Sequence, residues 1–389
     1  MKVHFETFGC RLNKAESLAL QAGFEARGWT VAEGRHDADL IVVRGCSVTS
    51  RAQKDCEKYI EHVREKFPMK RLVVTGCLRK KRNEFILRDV SLKEIPTSVS
   101  RAFLKVQDGC SGGCAYCTVP IFRGAPRSVP FGEVMEMADK YLAAGFGEIV
   151  VTGCNLALYS SDGRDLPGLA RELAALAAGR GRLRLGSLEP GAALDGVAEA
   201  ASENENICRH FHIALQSGSD KILRSMGRAY RAADVERTAA DIRQAMPFAS
   251  LGCDVISGLP GETPSDHALT KKLLAAAKFD KAHVFKYSAR PGTAAADMAC
   301  QVGRETKSMR AHDIADAIDR ARTEYAKRFK DKIVEIAVED CAGCAGWTGE
   351  HLWFRSAVPP ARRPVRRTLV KVLVKKTCGH ELRGELVDG

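Results

Sequence analysis

Three cysteines, Cys110, Cys114 and Cys117, lie within a single stretch of eight residues. Cysteine thiolates are the usual protein ligands of iron–sulfur clusters, and three of them can hold a [4Fe–4S] cube while its fourth iron keeps an open position. Gly112 and Gly113 allow the backbone to curl closely round such a cube. A structural zinc site would need a fourth ligand at comparable spacing, and the sequence has none there. We therefore predict a cluster rather than zinc or three unrelated buried cysteines.

A second set of cysteines is spread along the N-terminal part of the chain. Cys10, Cys46 and Cys77 each follow a glycine at the end of a short apolar run. If these runs are neighbouring parallel strands, their carboxyl ends meet at one edge of a sheet, where ligands bind. The three thiols would then face one centre and hold a second cluster. The alternative is three small buried residues, because free cysteine packs as a hydrophobe, but three matching positions favour the cluster.

The elements that must position these cysteines alternate between strand and helix. Up to about residue 95, alternation of this kind predicts a parallel sheet. The predicted strands are Val3–Phe8, Leu40–Val43 and Leu72–Thr75, and the predicted helices are Lys14–Gly28 and Ser50–Phe67. The three Gly-Cys pairs therefore fall at the ends of the three strands.

Longer strand–helix units follow from residue 102 to residue 327, and they predict a whole or partial (β/α) barrel. Its predicted strands are Glu148–Thr152, Leu183–Ser187, Phe211–Leu215, Leu251–Ile256 and His283–Tyr287, with helices such as Phe131–Ala144 and Pro167–Ala178 between them. The final part of the chain is rich in β-forming residues and predicts a small β-barrel of about five strands. Its predicted strands are Lys332–Val338, His351–Arg355 and Leu369–Lys375. The expected fold class is α/β with this barrel appended.

The composition indicates a metal-binding protein with a polyanionic partner. The formal net charge is +12, which favours binding to nucleic acid where the charges cluster. The chain holds 14 cysteines. Thiols stay reduced in the cytosol, so metal ligation outranks a disulfide framework. No run approaches the ~20 apolar residues that span a bilayer, and the first residues lack the pattern of a secretory signal. We expect a cytoplasmic protein with no membrane partner.

A series of further motifs accompanies the cysteines in order along the chain. They are Thr7–Asn13 (TFGCRLN) with Glu16, Arg44–Thr49 (RGCSVT), Val74–Cys77 (VTGC), Lys105–Cys110 (KVQDGC), Ile121–Ser128 (IFRGAPRS), Glu148–Gly153 (EIVVTG), Leu185–Pro190 (LGSLEP), His212–Ser219 (HIALQSGS), Gly258–Thr263 (GLPGET) and Phe285–Ser288 (FKYS). The C-x3-C-x2-C spacing with an aromatic residue before the last cysteine is the pattern of the radical S-adenosylmethionine (SAM) superfamily. Over nearly its whole length the chain resembles the radical SAM methylthiotransferases.

Within that family the motifs look most like the branch that modifies N6-threonylcarbamoyladenosine (t6A) beside the tRNA anticodon. The resemblance implies a methylthiotransferase N-terminal domain over residues 1–98, a radical SAM domain over 99–327 and a TRAM-like RNA-binding domain over 328–389. The branches that modify isopentenyladenosine in tRNA, or an aspartate of a ribosomal protein, are the near competitors. A different class, a non-catalytic iron–sulfur protein that binds RNA, is disfavoured by the intact cysteine motif of the SAM cluster.

The resemblance also implies two [4Fe–4S] clusters, SAM and a reaction. One SAM methylates a sulfur on the auxiliary cluster, which is held by Cys10, Cys46 and Cys77. A second SAM is cleaved reductively at the other cluster to a 5′-deoxyadenosyl radical, which removes the hydrogen from C2 of the adenine. The methylthio group is then transferred to that carbon. The C–H bond is unactivated, so the cofactor supplies the radical and the protein orients it.

Further site residues are implied by the same resemblance. Tyr116, Gly153, Glu189, Gln216 and Ser217 are expected at the SAM site, because active-site groups collect at the ends of barrel strands. The alternative is that the last three are ordinary polar residues at strand ends. An RNA contact is expected from Arg362, Arg363, Arg366 and Arg367 in the C-terminal barrel. The alternative for these arginines is a solvated charged loop.

Two features depart from the family pattern. The segment between Cys77 and Cys110 is unusually short, and Arg44-Gly45 replaces the usual Asn-Thr before Cys46. Both put the tRNA target in doubt without removing a cluster ligand.

The remaining cysteines are interpreted mainly as packing residues. A Cys3His zinc site joining two hairpin tips is a further hypothesis, with Cys341, Cys344, Cys378 and His380 as its ligands. The expected partners of the chain, a monomer, are a tRNA anticodon stem-loop, an electron donor and a sulfur source.

Overall fold

The computed structural model describes residues 1–46, 50–78, 94–96, 99–357 and 364–387. The N-terminal unit is a parallel sheet in the order β2–β1–β3–β4 with helices packed against it. Its elements are β1 (Lys2–Thr7), α1 (Arg11–Glu25), β2 (Thr30–Val31), β3 (Leu40–Gly45), α2 (Ser50–Lys66) and β4 (Arg71–Gly76). Every residue of β3 is buried, as expected for the central strand of a parallel sheet with both faces covered.

Helix α1 begins at Arg11, three residues before the predicted start at Lys14. Asn13 explains the difference. Its side-chain amide donates hydrogen bonds of 2.9 Å to the carbonyl oxygens of Phe8 and Gly45. These bonds fix the first turn of the helix against the ends of two strands, so the helix follows directly after Cys10.

The register of the sheet brings three strand ends to the same edge. Gly45 pairs with Gly76, and Thr7 pairs with Arg44. Beyond the strands, the backbone N–H of Cys77 donates to the Gly45 carbonyl oxygen at 3.0 Å. The predicted convergence of the three Gly-Cys pairs therefore follows from the backbone alone.

The central unit is a partial barrel of two parallel sheets, in the orders β11–β8–β5 and β12–β13–β14–β15. Its elements are β5 (Ala102–Lys105), β6 (Gln107–Asp108), α3 (Val119–Arg123), β7 (Arg127–Ser128), α4 (Phe131–Ala143), β8 (Glu148–Thr152), β9 (Ser160–Ser161), β10 (Arg164–Asp165), α5 (Leu166–Ala177), β11 (Arg182–Leu185), β12 (Ser187–Leu188), α6 (Ala192–Glu203), β13 (His210–Gln216), α7 (Asp220–Ser225), α8 (Ala232–Ala245), β14 (Ser250–Ser257), α9 (Pro264–Ala276), β15 (Lys281–Lys286) and α10 (Arg304–Lys327). The core between strands and helices includes Leu104, Ile149 and Leu251, all buried. The predicted barrel is confirmed.

The C-terminal unit is a closed barrel in the order β16–β17–β18–β20–β19. Its strands are β16 (Ile333–Asp340), β17 (Ala345–Thr348), β18 (Trp353–Ser356), β19 (Leu369–Cys378) and β20 (Glu381–Leu386). The predicted five-stranded barrel is confirmed, although the sequence patterns missed β17 and β20. The predicted strand from His351 begins only at Trp353, because His351 has a left-handed backbone with φ of 61°. Within the described residues, no helix is both long and apolar enough to cross a bilayer.

A buried carboxylate joins the two barrels. Glu148, at the start of β8, accepts hydrogen bonds from Arg182 at 2.9 Å and from Arg184 at 2.8 Å. The two guanidinium groups also donate to the carbonyl oxygens of Trp347 and Thr348 in β17, both at 2.7 Å. Burial alone would favour the neutral acid, but the Arg184 and Arg182 cations hold the pKa of Glu148 well below its usual range. The C-terminal barrel is thereby fixed to the central one.

Replacing Glu148 with glutamine should destabilise the protein by about 3–5 kcal/mol, because two buried cations lose their counter-charge. Urea unfolding followed by tryptophan fluorescence measures the loss, since Trp347 contacts Arg182 at this joint and the Trp353 ring lies 5.0 Å from the Trp347 ring. The control is Glu199→Gln, whose side chain is 66% exposed beside Arg171 and should contribute less than about 1 kcal/mol. Equal unfolding midpoints for the two variants would show that the buried carboxylate is not needed for stability.

Candidate active site

The N-terminal cysteines converge as their sequence positions predict. Cys46 and Cys77 are buried and Cys10 is exposed. Gly9 has a φ of 95°, and a Cβ atom on it would lie 2.3 Å from the Cys46 sulfur. Only glycine leaves this space while turning the chain off β1. Cys46 therefore packs directly against the turn that follows β1. We call the three strand ends with Cys10, Cys46 and Cys77 the cradle, and that their thiols hold one cluster stays a prediction.

Arg123, the last residue of α3, connects this cradle to the central barrel. Its Nε donates to the Cys77 sulfur at 3.2 Å. Its other nitrogens donate to Glu16 and Asn13 of α1, both at 2.9 Å, and to Asp108 of β6 at 3.0 Å. One side chain thus contacts a predicted cluster ligand, the helix behind it and the barrel wall.

Glu16 is the anion at the centre of this network. It accepts hydrogen bonds from Arg123, Arg44 and Lys105, the last at 2.6 Å. Burial opposes ionisation, but these cations, Arg123 foremost, lower the pKa of Glu16 to about 2. The Arg44 that replaces the family's usual residue therefore pairs with Glu16, behind the cradle.

Burial also affects the thiol of Cys77. It raises the pKa of Cys77, although the neighbouring Arg123 cation favours the thiolate. A metal centre binds the thiolate, so its binding would release this proton, and Arg123 would stabilise the anionic sulfur.

The loop that carries Cys110, Cys114 and Cys117 has its own cradle. The backbone N–H groups of Gly112 and Val119 donate to the sulfurs of Cys110 and Cys117, at 3.3 and 3.4 Å. A Cβ atom on Gly112 would lie 3.3 Å from the Cys110 sulfur and 3.6 Å from the Cys114 sulfur. Two features of this loop suit an iron–sulfur cluster: its backbone N–H groups donate to cysteine sulfurs, and Gly112 places no side chain beside those sulfurs.

A buried arginine stands beside this loop. Arg228 donates to the Cys114 sulfur at 3.0 Å and pairs with Glu189 at 2.7 Å. Asn155, which follows β8, donates to the same Glu189 at 3.1 Å and lies 3.8 Å from the Cys110 sulfur. Through Arg228 and Asn155, Glu189 is therefore connected to Cys114 and Cys110, and its part in SAM binding stays a prediction.

The other residues expected at the SAM site lie in different surroundings. Gly153 follows β8, and a Cβ on it would lie 3.0 Å from Gln107 and Leu156, so close packing requires glycine there. Gln216 ends β13 with a φ of 64°, a left-handed conformation that is uncommon for a residue other than glycine. Ser217 is buried, and its hydroxyl accepts from the Ser219 N–H at 3.2 Å, which indicates a role in the turn. Their part in SAM binding stays a prediction.

Tyr116 lies between Cys114 and Cys117 and is partly buried. It packs against an apolar cluster that includes Ile256 and Leu259, at the carboxyl end of β14. The residue expected to border the adenine therefore lies near a strand end, and that role also stays a prediction.

The sequence patterns missed the residues that connect these groups. Arg123 and Glu16 belong to the sequence motifs given above. No local pattern indicates that these two residues, 107 positions apart, form an ion pair. Asn155 and Arg228 carried no signal at all. Cys154, interpreted as a packing residue, donates to Asp108 at 3.3 Å and so joins the same wall.

The four arginines expected to contact RNA are not equivalent. Arg362 and Arg363 lie outside the described residues, and Arg366 is exposed. Arg367 instead donates to the carbonyl oxygens of Pro96 and Val99, at 3.0 and 3.2 Å, and its guanidinium lies 4.1 Å from the centre of the Phe146 ring. It fastens the C-terminal barrel to the central one, and its RNA contact stays a prediction.

The hypothesis of a Cys3His zinc site in the C-terminal barrel is wrong, because its four ligands do not come together. No three of Cys341, Cys344, Cys378 and His380 bring their ligand atoms within 4.8 Å of one another. Cys344 is instead fully buried in the core of the C-terminal barrel, and His380 lies 3.5 Å from Asp319. Small size and hydrophobicity account for Cys344.

Known protein families match both halves of this site. A model of the radical SAM superfamily matches residues 104–274, and one described as uncharacterized protein family UPF0004 matches residues 2–95. The chain is 30% identical over 382 residues to a threonylcarbamoyladenosine tRNA methylthiotransferase of Bacillus subtilis, covering 87% of this chain and 85% of that protein. It is 33% identical over 343 residues to a tRNA-2-methylthio-N(6)-dimethylallyladenosine synthase of Cereibacter sphaeroides, covering 76% and 78%.

Solved structures share the fold. The radical SAM methyltransferase TsrM of Kitasatospora setae aligns with a TM-score of 0.55 at 14% identity, over 76% of this chain and 77% of that one. At this identity the likeness concerns the architecture alone.

Replacing Gly9 with alanine should remove one of two clusters, because the new Cβ would occupy the space of the Cys46 sulfur at a φ that alanine resists. We expect about half of the iron and sulfide of the reconstituted wild type. Colorimetric iron and sulfide analysis measures this. Gly23→Ala, in α1 with open space around it, is the matched control and should keep the full content. Full iron in both variants would mean that cluster binding does not depend on glycine at position 9.

Proposed function

The chain belongs to the radical SAM methylthiotransferases, and we propose that it adds a methylthio group at C2 of t6A next to the tRNA anticodon. The observation that carries this proposal is the Arg123 network. It joins Cys77 and helix α1 of the N-terminal unit to Asp108 of the central barrel, just ahead of the loop that carries Cys110, Cys114 and Cys117. A methylthiotransferase needs both centres to reach one substrate atom.

Six cysteines are proposed as cluster ligands. Cys110, Cys114 and Cys117 would hold the cluster that binds SAM. When bound, this cluster and SAM supply a radical that can remove hydrogen from an unactivated carbon, which acid–base groups cannot do. Arg228 and the backbone donors of the loop would stabilise the sulfurs through N–H···S hydrogen bonds.

Cys10, Cys46 and Cys77 would hold the auxiliary cluster, which would supply the sulfur for the methylthio group. Arg123 has two roles here. It compensates the charge of the Cys77 sulfur, and through Glu16 it keeps the cradle docked on the barrel. An external electron donor and a sulfur source complete the proposed system.

The substrate follows from the relatives and the sequence motifs together. Relatives of Bacillus subtilis, Thermotoga maritima and Rickettsia prowazekii, 29–30% identical to this chain, are named for threonylcarbamoyladenosine. Four sequence motifs resemble that branch as well: Cys46–Thr49, Lys105–Gly109, Arg123–Ser128 and His283–Ser288. A second candidate is dimethylallyladenosine, which is favoured by the 33% identity to the Cereibacter sphaeroides enzyme.

The C-terminal barrel would bind the tRNA backbone. Arg366 and Lys371 are exposed on it and available to phosphate groups. Because Glu148 and Arg367 fix this barrel to the central one, RNA bound there would present its target base at a constant distance from the cysteine centres.

Nucleoside mass spectrometry of tRNA tests the proposal. A strain that lacks the gene should lose 2-methylthio-t6A, and the wild-type gene should restore it. Recovery of the methylthio derivative of dimethylallyladenosine instead would favour the second candidate. Finding no methylthiolated adenosine that depends on the gene would contradict both.

Cys46→Ala and Cys110→Ala, tested by complementation of the same strain, should each reduce the methylthiolated nucleoside to background, because each removes one ligand of a different proposed cluster. Cys378→Ala is the matched control, since this cysteine is exposed at the end of β19 in the C-terminal barrel. Normal modification by either alanine variant would remove that cysteine from the proposed ligand set.

A further inference from the structure

Three metal-ligating side chains meet inside the central barrel, on neighbouring parallel strands. They are His212 of β13, Asp254 of β14 and His283 of β15. The Nε2 of His212 lies 2.9 Å from Oδ1 of Asp254, and the Nδ1 of His283 lies 3.2 Å from the same oxygen. All three ligand atoms lie within 4.8 Å of one another, and within the described residues no other set of three does so.

This set is separate from the two cysteine centres. His212 precedes Gln216, the last residue of β13, by four positions. At 3.3 Å per residue it therefore lies about 13 Å below the carboxyl edge of the barrel. None of the three residues contacts a cysteine of either centre through a hydrogen bond in the described part of the chain.

The geometry of the set is fixed by its surroundings. The side chain of His212 is 3% exposed, and its ring lies 4.7 Å from the ring of His283. A Cβ atom on Gly252, the partner of His212 in the sheet, would lie 2.7 Å from the His212 Nδ1. The bare glycine therefore lets the imidazole lie flat against β14, which directs Nε2 at Asp254.

The two imidazoles share one acceptor. The Nδ1 of His212 is buried without a hydrogen-bond partner among the described residues, so Nε2 makes the hydrogen bond that holds this ring to Asp254. The ring of His283 holds the same oxygen from the other side. Hydrogen bonding to Asp254 alone would not require a second imidazole on the same oxygen.

We propose that His212, Asp254 and His283 bind one divalent transition-metal ion. Two imidazoles and one carboxylate suit iron(II) or zinc, whereas calcium and magnesium prefer oxygen ligands alone. Three protein ligands leave coordination positions open for water or an oxygen-bearing ligand. The His283 side chain is 46% exposed and gives the ion a path from solvent.

The experiment uses the anaerobically reconstituted full-length enzyme with both clusters in place. It is dialysed against Zn²⁺, and zinc and iron are determined by elemental analysis in the same sample. We expect one additional zinc per chain in the wild type. Asp254→Asn and His283→Gln should lower the zinc affinity at least about tenfold, since each removes a direct ligand, while the iron content stays constant.

His267→Gln is the matched control. This histidine also pairs with an aspartate, Asp313, at 2.7 Å, but on helices outside the barrel. It should bind zinc like the wild type. The proposal is overturned if the wild type retains no more zinc than His283→Gln, or if His267→Gln loses zinc to the same extent. The experiment measures metal content, so its result does not depend on whether the chain methylthiolates tRNA.

Discussion

The contact between the Arg123 guanidinium and the Glu16 carboxylate is the interaction on which the rest of the site depends. It is largely buried, and it joins a helix of the N-terminal unit to a helix of the central barrel. A buried pair of this kind gains little net stability, because desolvation offsets the attraction. Its value lies in geometry, since only one docking of the two units satisfies Arg123, Glu16, Asn13 and Asp108 together.

A second buried pair has the same role on the opposite side of the barrel. Glu148 neutralises Arg182 and Arg184, and these two arginines then hold backbone carbonyls of the C-terminal barrel. Both joints thus use arginine, whose planar group can satisfy a carboxylate and another acceptor at once. The two joints fix both outer units to the central barrel. The proposed reaction takes place beside the Arg123 joint, and the proposed RNA-binding barrel is held by the Glu148 joint.

The fold and the cysteine sets could be predicted because both arise from local patterns. Apolar runs followed by Gly-Cys specify strand ends, and the C-x3-C-x2-C spacing needs no tertiary information. The joints could not be predicted, since Arg123 and Glu16 become partners only after two units dock. Two further features depend on tertiary packing that no local pattern encodes. His351 has a left-handed backbone, and Arg367 donates a hydrogen bond to the distant carbonyl oxygen of Pro96.

The joint between the central and C-terminal barrels also includes Gly147, which limits how the two barrels can be exchanged. Its N–H donates to the Arg367 carbonyl oxygen at 2.7 Å, and a Cβ on it would lie 2.7 Å from Leu369. The C-terminal barrel therefore packs so closely on Gly147, more than two hundred residues earlier in the chain, that a side chain there would collide with it. A chimaera that takes this barrel from a relative must therefore keep both a glycine at position 147 and the backbone carbonyl at position 367 that accepts its hydrogen bond. Modularity of this chain is thus constrained by the joint between its barrels, and its proposed RNA contacts can be altered by surface substitutions without disturbing that joint.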